Sequence, residues 1–121
     1  MKKYKPTTDS RRHMSGIDFR KILTSSKPER SLTSGFKRGS GHNNRGRITT
    51  RHKGGGHKRL FRAVDFSYDK YDVPFTVRTI EYDPNRSGFI GLAVYRDGEK
   101  RYVLLHSSAR VGQTFVASEN A

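Results

Sequence analysis

The sequence predicts a mainly β protein in two parts: a five-stranded barrel, and before it a long, basic and mostly irregular N-terminal extension. Hydropathy is the first ground. From residue 1 to 59, 10 of 59 residues are hydrophobic, against 28 of 62 from residue 60 to 121, so only the second part can bury a core. Charge is the second. Residues 1–62 hold 18 Lys/Arg against 3 Asp/Glu, and residues 63–121 hold 7 against 8, which together make up the net +14. The third is the appearance, from Leu60 onward, of alternating apolar positions separated by turn residues.

The extension opens with an extended basic arm over 1–16, where Pro6 blocks helix continuation and Arg11, Arg12 and His13 form a positive cluster. Ile17, Phe19, Ile22 and Leu23 then gather in a short segment, expected as a helical turn docked on a partner surface and too short to stand alone. Pro28 ends it, and 27–32 reads as extended chain or turn. From Gly39 to Arg62 there are seven Arg or Lys, six Gly and no carboxylate.

This stretch points at phosphate. Arg45, Arg47, Arg51, Lys53, Lys58, Arg59 and Arg62 recur every one to five residues, close enough to meet successive phosphates of a folded RNA. Gly54, Gly55 and Gly56 let the main chain approach a sugar-phosphate surface and offer N–H donors. Asn43, Asn44, Thr49 and Thr50 add short hydrogen-bonding groups, and His42, His52 and His57 can stack on bases. A disordered solvated loop is the alternative for an arbitrary Gly/Lys/Arg run. The interleaved Ile48, the paired Asn residues and the unbroken passage into a strand at Leu60 weigh against it.

The strands follow in order. The first is expected over about 60–66, with Leu60, Val64 and Phe66 on one face; the second over 73–82. A dense turn at 83–88 leads to a third strand carrying Ile90, Leu92 and Val94. Asp97-Gly98 makes a hairpin into a fourth over 99–106, with Tyr102 and Leu104 pointing one way, and a fifth spans 111–117. Five short strands without a confident helix favour an oligonucleotide-binding (OB) barrel over an SH3-like one.

Other chemistries find little support. A P-loop needs Ser or Thr after its Lys and a helix behind it, but Arg59 follows Lys58 and a strand comes next. A zinc site from His42, His52 and His57 would cross flexible Gly-rich chain among cations, with no Cys in the sequence to help. Asp65, Glu81, Asp83 and Asp97 lie mostly at strand ends or turns with no paired nucleophile, so no enzyme is expected. No apolar run approaches a membrane span, the basic region lacks an apolar face, and no secretory or transit segment is legible. A free-standing single-strand binder, stacking bases on Phe61, Phe75, Phe89 or Tyr95, is the rival functional class.

The run from Asn43 to Arg59, NNRGRITTRHKGGGHKR, resembles the large-subunit ribosomal protein L-two family. IEYDPNRS at 80–87, which includes Arg86, and DGEKRY at 97–102 are similar to its next signatures; KKYKPTT at 2–8 and PERSL at 28–32 are similar to its bacterial-type start. The resemblance implies an rRNA-embedded extension over 1–59 and an OB-like barrel over 60–121. It also implies a structural role on large-subunit rRNA beside neighbouring ribosomal proteins, and no cofactor beyond Mg²⁺ held through the rRNA. Charge pattern and resemblance together give the expected rRNA-binding set: Arg11, Arg12, Asn43, Asn44, Arg45, Arg47, Arg51, His52, Lys53, Gly54, Gly55, Gly56, His57, Lys58, Arg59, Arg62 and Arg86.

Family members run on into an SH3-like second domain with a histidine near the catalytic centre, which none of His13, His42, His52, His57 or His106 matches. Either a separate chain carries that half or this one is truncated. The initiating Met and the polar end over 117–121 suggest a natural split gene of organellar type. A mitochondrial, organelle-encoded ribosome is the expected location, with the bacterial cytoplasm or a plastid as alternatives.

Overall fold

The computed structural model describes residues 1–37 and 39–118. The last three residues of the expected barrel, 119–121, and Arg38 in the basic run lie outside them. The chain is mainly β. Its central sheet is a four-stranded antiparallel half-barrel in the order β7-β6-β5-β8, built from Phe75–Glu81 (β5), Ile90–Tyr95 (β6), Lys100–Leu104 (β7) and Thr114–Phe115 (β8). Asp97-Gly98 closes the β6–β7 hairpin as expected: Gly98 holds φ 87, and the Glu99 N–H donates to Asp97 Oδ1 at 3.0 Å.

Strand β5 is not a simple alternating strand. Phe75 and Val77 face one side, the register against β6 shifts between Val77 and Thr79, and thereafter Ile80 takes over that side. This bulge places Arg78 outside and reverses parity, so both faces of the sheet carry buried groups. One face joins Phe75, Ala93, Tyr95 and Val103, with Tyr68, Val73, Leu105 and Phe115 packed against them. The other joins Ile90, Leu92 and Tyr102, with Leu32 and Val64 over them. Tyr102 and Leu104 therefore do not share a buried face: Tyr102 is fully buried, whereas Leu104 is left exposed by the described residues.

The chain before the sheet supplies that second cover. Thr33–Phe36 (β3) pairs antiparallel with Arg59–Arg62 (β4), the first of the expected strands, which ends earlier than 66. Beyond it Val64 bridges Tyr102 in parallel and the Asp65 N–H donates to the Tyr102 carbonyl at 2.8 Å. Leu60 and Phe66 remain exposed, since only Val64 of the expected trio reaches the core. The fifth strand is likewise shorter than 111–117, holding ladder pairs only at Thr114 and Phe115.

Short elements fill the N-terminal region. Lys2–Lys3 (β1) pairs with Ser15–Gly16 (β2) around a single turn of helix, Asp9–Arg12 (α1), where an extended arm was expected. The apolar segment after it does form a helical turn, Phe19–Ile22 (α2), but it docks on the chain's own barrel. Phe19 meets Tyr82 edge-on at 5.5 Å and Phe89 at 5.8 Å between ring centroids. Thr24 then exchanges hydrogen bonds with Ile80, N–H to O at 3.0 Å and N–H to Oγ1 at 2.8 Å. Because backbone bonding from the β8 side reaches only as far as Val77, this contact satisfies backbone groups further along β5.

An ion-pair cluster fastens the outer end of the barrel. Arg101 bonds Asp65 at 2.8 Å, Glu99 at 2.6 Å and also Asp69, while Lys70 bridges Asp97 and Glu99. Burial pushes the Asp65 carboxyl up, but the Arg101 guanidinium and the amides of Tyr68 and Ser67 outweigh it, so Asp65 stays below the usual carboxylate range. Hydrogen bonds from Lys70 hold Asp97 and Glu99 low as well. Lowered folded values mean that this contribution is complete above the unfolded carboxylate range and is lost as pH falls through the folded values. The urea midpoint is expected to hold from neutral pH to about pH 5 and to drop below about pH 4. Arg101→Met should flatten that decline. A parent midpoint unchanged down to about pH 3 would rule the cluster out as a source of stability.

Candidate nucleic-acid interface

Between Phe36 and Arg59, paired directly across the β3–β4 ribbon, the chain leaves the barrel and returns. Within this excursion every residue from 42 to 58 is exposed. Its first half is nonetheless ordered by its own backbone. Asn43 spans a turn, its N–H donating to the Arg47 carbonyl at 2.9 Å and its Oδ1 accepting from the N–H groups of Arg45 at 3.0 Å and Arg47 at 2.9 Å. His42 bridges Ile48, and the Gly41 carbonyl accepts from the N–H groups of Thr49 at 2.8 Å and Thr50 at 3.2 Å.

This turn explains the spacing of its cations. Arg45 and Arg47 flank Gly46 at the tip, Arg51 and Lys53 follow on the return, and Lys58 precedes the ribbon. Gly39 and Ser40 on one side and His52–Gly55 on the other enclose a polar cleft of about 370 Å³. No acid occurs between residues 30 and 64, and among the described residues no ion pair neutralises these side chains. Such a surface matches the charge and reach of a folded polyanion.

The predicted residues divide into three groups. Asn44, Arg45, Arg47, Arg51, His52, Lys53, Gly54, Gly55, Gly56, His57 and Lys58 sit together on the exposed excursion, and Arg59 is half-buried at its root. Arg11 and Arg12 lie apart on α1, with Arg11 5.6 Å over the Tyr4 ring. Asn43, Arg62 and Arg86 have partners inside the fold. Asn43 shapes the turn, Arg62 is buried with Nη1 donating to the Leu60 carbonyl at 3.0 Å, and Arg86 Nε donates to the buried Asp83 at 2.5 Å. Arg86 also lies 5.5 Å over the Phe66 ring.

Two features escaped the sequence reading. Gly41 holds φ 76 where a Cβ would overlap the Thr50 carbonyl oxygen, a long-range constraint that a run of many glycines conceals. Phe36 and Phe61 stack at 6.4 Å between centroids, both exposed at the foot of the excursion. Only strand register brings them together, since Ser34 pairs with Phe61 and Phe36 with Arg59.

The glycines make a graded test. Gly55 holds φ 63 with open space around the Cβ position, so Gly55→Ala meets only backbone strain, about 1 kcal/mol of lost RNA affinity. Gly41→Ala adds the steric overlap and should cost more than about 2 kcal/mol. Filter-binding titrations against one structured RNA compare the two; equal affinities for both variants and the parent would show that the loop's conformation is irrelevant to binding.

A comparison with known families agrees with this geometry. The family model described as Ribosomal Proteins L2, RNA binding N-terminal domain, matches residues 29–117, from the start of the barrel's second cover to just past β8. That span takes in most of the chain, including the whole basic excursion and the central sheet. The chain therefore belongs to the family of ribosomal L2 proteins and carries their RNA-binding N-terminal domain.

Proposed function

We propose that the chain is a structural constituent of the large ribosomal subunit, in which the excursion after Phe36 lies among rRNA strands and the barrel serves as its anchor. The observation that carries this is the exposed, acid-free excursion held at both ends by the β3–β4 ribbon. Membership of a structural, non-enzymatic ribosomal family supports it. In functional terms residues 1–59 form the RNA-embedded part and 60–121 the barrel, although Glu29 to Phe36 also close one face of that barrel. Arg11, Arg12 and the exposed cations of the loop neutralise phosphates; Arg62 and Arg86 support the protein side.

The partners in this reading are large-subunit rRNA, adjacent ribosomal proteins, and a second polypeptide carrying the SH3-like half. In this reading the ribosome is mitochondrial and the second half is encoded separately. Separation costs little within each core, because a linker between barrels carries few contacts and shared rRNA binding replaces the tether. The rival single-strand binder loses two of its four stacking candidates, since Phe75 and Tyr95 are buried in the core, while Phe61 stays exposed against Phe36.

Sedimentation of ribosomes through a high-salt gradient tests the proposal. The chain is expected in the large-subunit peak, with peptides of the second half on a distinct protein at equal stoichiometry. Recovery only at the top of the gradient would overturn the subunit assignment. A peptide running on past Ala121 would overturn the split alone.

A further inference from the structure

A second cleft, of about 380 Å³, lies on the barrel between α2 and the end of β5, away from the basic loop. Its walls include Phe19, Leu23, Pro28 and Tyr82, and Arg62 and Glu81 also line it. Phe19 and Tyr82 are both about half exposed, while Arg62 is 9% and Glu81 4% exposed. Arg62 Nε is buried without a hydrogen-bond partner among the described residues. An unsatisfied buried donor is costly, and this one belongs to a side chain that lines the cleft, where a small shift brings it to a ligand acceptor.

Glu81 is held ready to accept. Its Oε1 takes a bond from Thr79 Oγ1 at 2.8 Å and its Oε2 one from the Tyr102 hydroxyl at 2.7 Å, which fix the carboxylate and leave each oxygen a further lone pair. A phosphate suits this site poorly: it would meet Arg62 but also the Glu81 carboxylate, between apolar walls. A flat heterocycle with donors and an acceptor on its edge suits it better.

We infer that the cleft receives one unpaired RNA nucleobase, stacked on Tyr82 and Phe19, and that guanine is the best match. Guanine sets N1–H and N2–H side by side, as a carboxylate requires, with O6 adjacent for a donor such as Arg62 Nε. Adenine and cytosine put a ring acceptor beside their amino group, and uracil has a single N–H between two carbonyls. The inference rests on the RNA-binding reading and adds to it a point of base recognition on the barrel itself.

Nuclear magnetic resonance titration of the full chain with the four nucleoside 5′-monophosphates tests it. Guanosine monophosphate is expected to shift residues around Tyr82 and Phe19 more strongly than the other three do. Tyr82→Leu, at an exposed ring, should weaken this binding about tenfold or more. The double variant Arg45→Ala/Arg47→Ala should leave it unchanged while weakening binding to an rRNA fragment. Shifts confined to the basic loop, equal shifts with inorganic phosphate, or no discrimination among the bases would overturn the assignment. Retained salt-sensitive rRNA binding without nucleotide shifts at the cleft would refute the base site and leave the RNA-binding reading standing.

Discussion

The affinity of this chain for structured large-subunit rRNA is expected to fall by about four orders of magnitude between about 50 and 200 mM monovalent salt. Eight cations account for this: Arg11, Arg12, Arg45, Arg47, Arg51, Lys53, Lys58 and Arg59, all on the exposed surface or at the root of the loop. If each displaces one condensed counterion, the slope of log affinity against log salt is roughly −6 to −7. The structure sharpens the expectation by removing two residues from the count. Arg62 and Arg86 bond the Leu60 carbonyl and Asp83 within the fold, so Arg62→Ala should cost stability and leave the slope unchanged. Arg47→Ala should instead make the slope shallower by about 0.7–0.9. A parent slope near zero would sink the electrostatic account altogether.

The largest effect on stability is expected at Tyr102, fully buried between Ile90, Leu92, Leu32 and Val64. Its hydroxyl donates to Glu81 at 2.7 Å and accepts from the Glu29 N–H at 2.7 Å, so one oxygen joins the two halves of the chain. Burial, and then the bond to the Glu81 carboxylate, pushes the Tyr102 phenol well above its ordinary value, which keeps the proton available for donation. Tyr102→Ala leaves a cavity and should cost about 3–5 kcal/mol. Tyr102→Phe preserves the packing but strands a buried carboxylate oxygen and an amide, about 1–3 kcal/mol in all. Urea unfolding measures both. The Phe variant should also expose the bond after Arg30 to trypsin, and parental stability in it would show that the hydroxyl fastens nothing.

Much of the sheet was legible because local signals agree there. Ile90 and Leu92 alternate toward one face, and Asp97-Gly98 forces the hairpin that follows. Strand β5 was harder to read, since the bulge between Val77 and Thr79 exchanges the faces midway and its apolar residues then look like an unpatterned run. The basic loop was legible from charge alone, but its shape was not: the overlap that reserves Gly41 for glycine comes from Thr50. The Glu81–Tyr102–Glu29 connection had no local signature because its members are far apart in sequence. Phe19 was read as a partner-facing residue because a short apolar turn carries no indication of which surface will cover it.

The pairing of Phe36 with Arg59 also sets how the RNA contact can end. A cationic tail leaves a polyanion by peeling, one phosphate at a time from its free end, and each step is cheap. Residues 37–58 have no free end, because the ribbon has already closed the loop and borne its closure entropy before RNA arrives. Such a segment behaves as a staple with two fixed legs: it can be withdrawn only when both legs lift together, and its release is concerted where a tail's would be gradual.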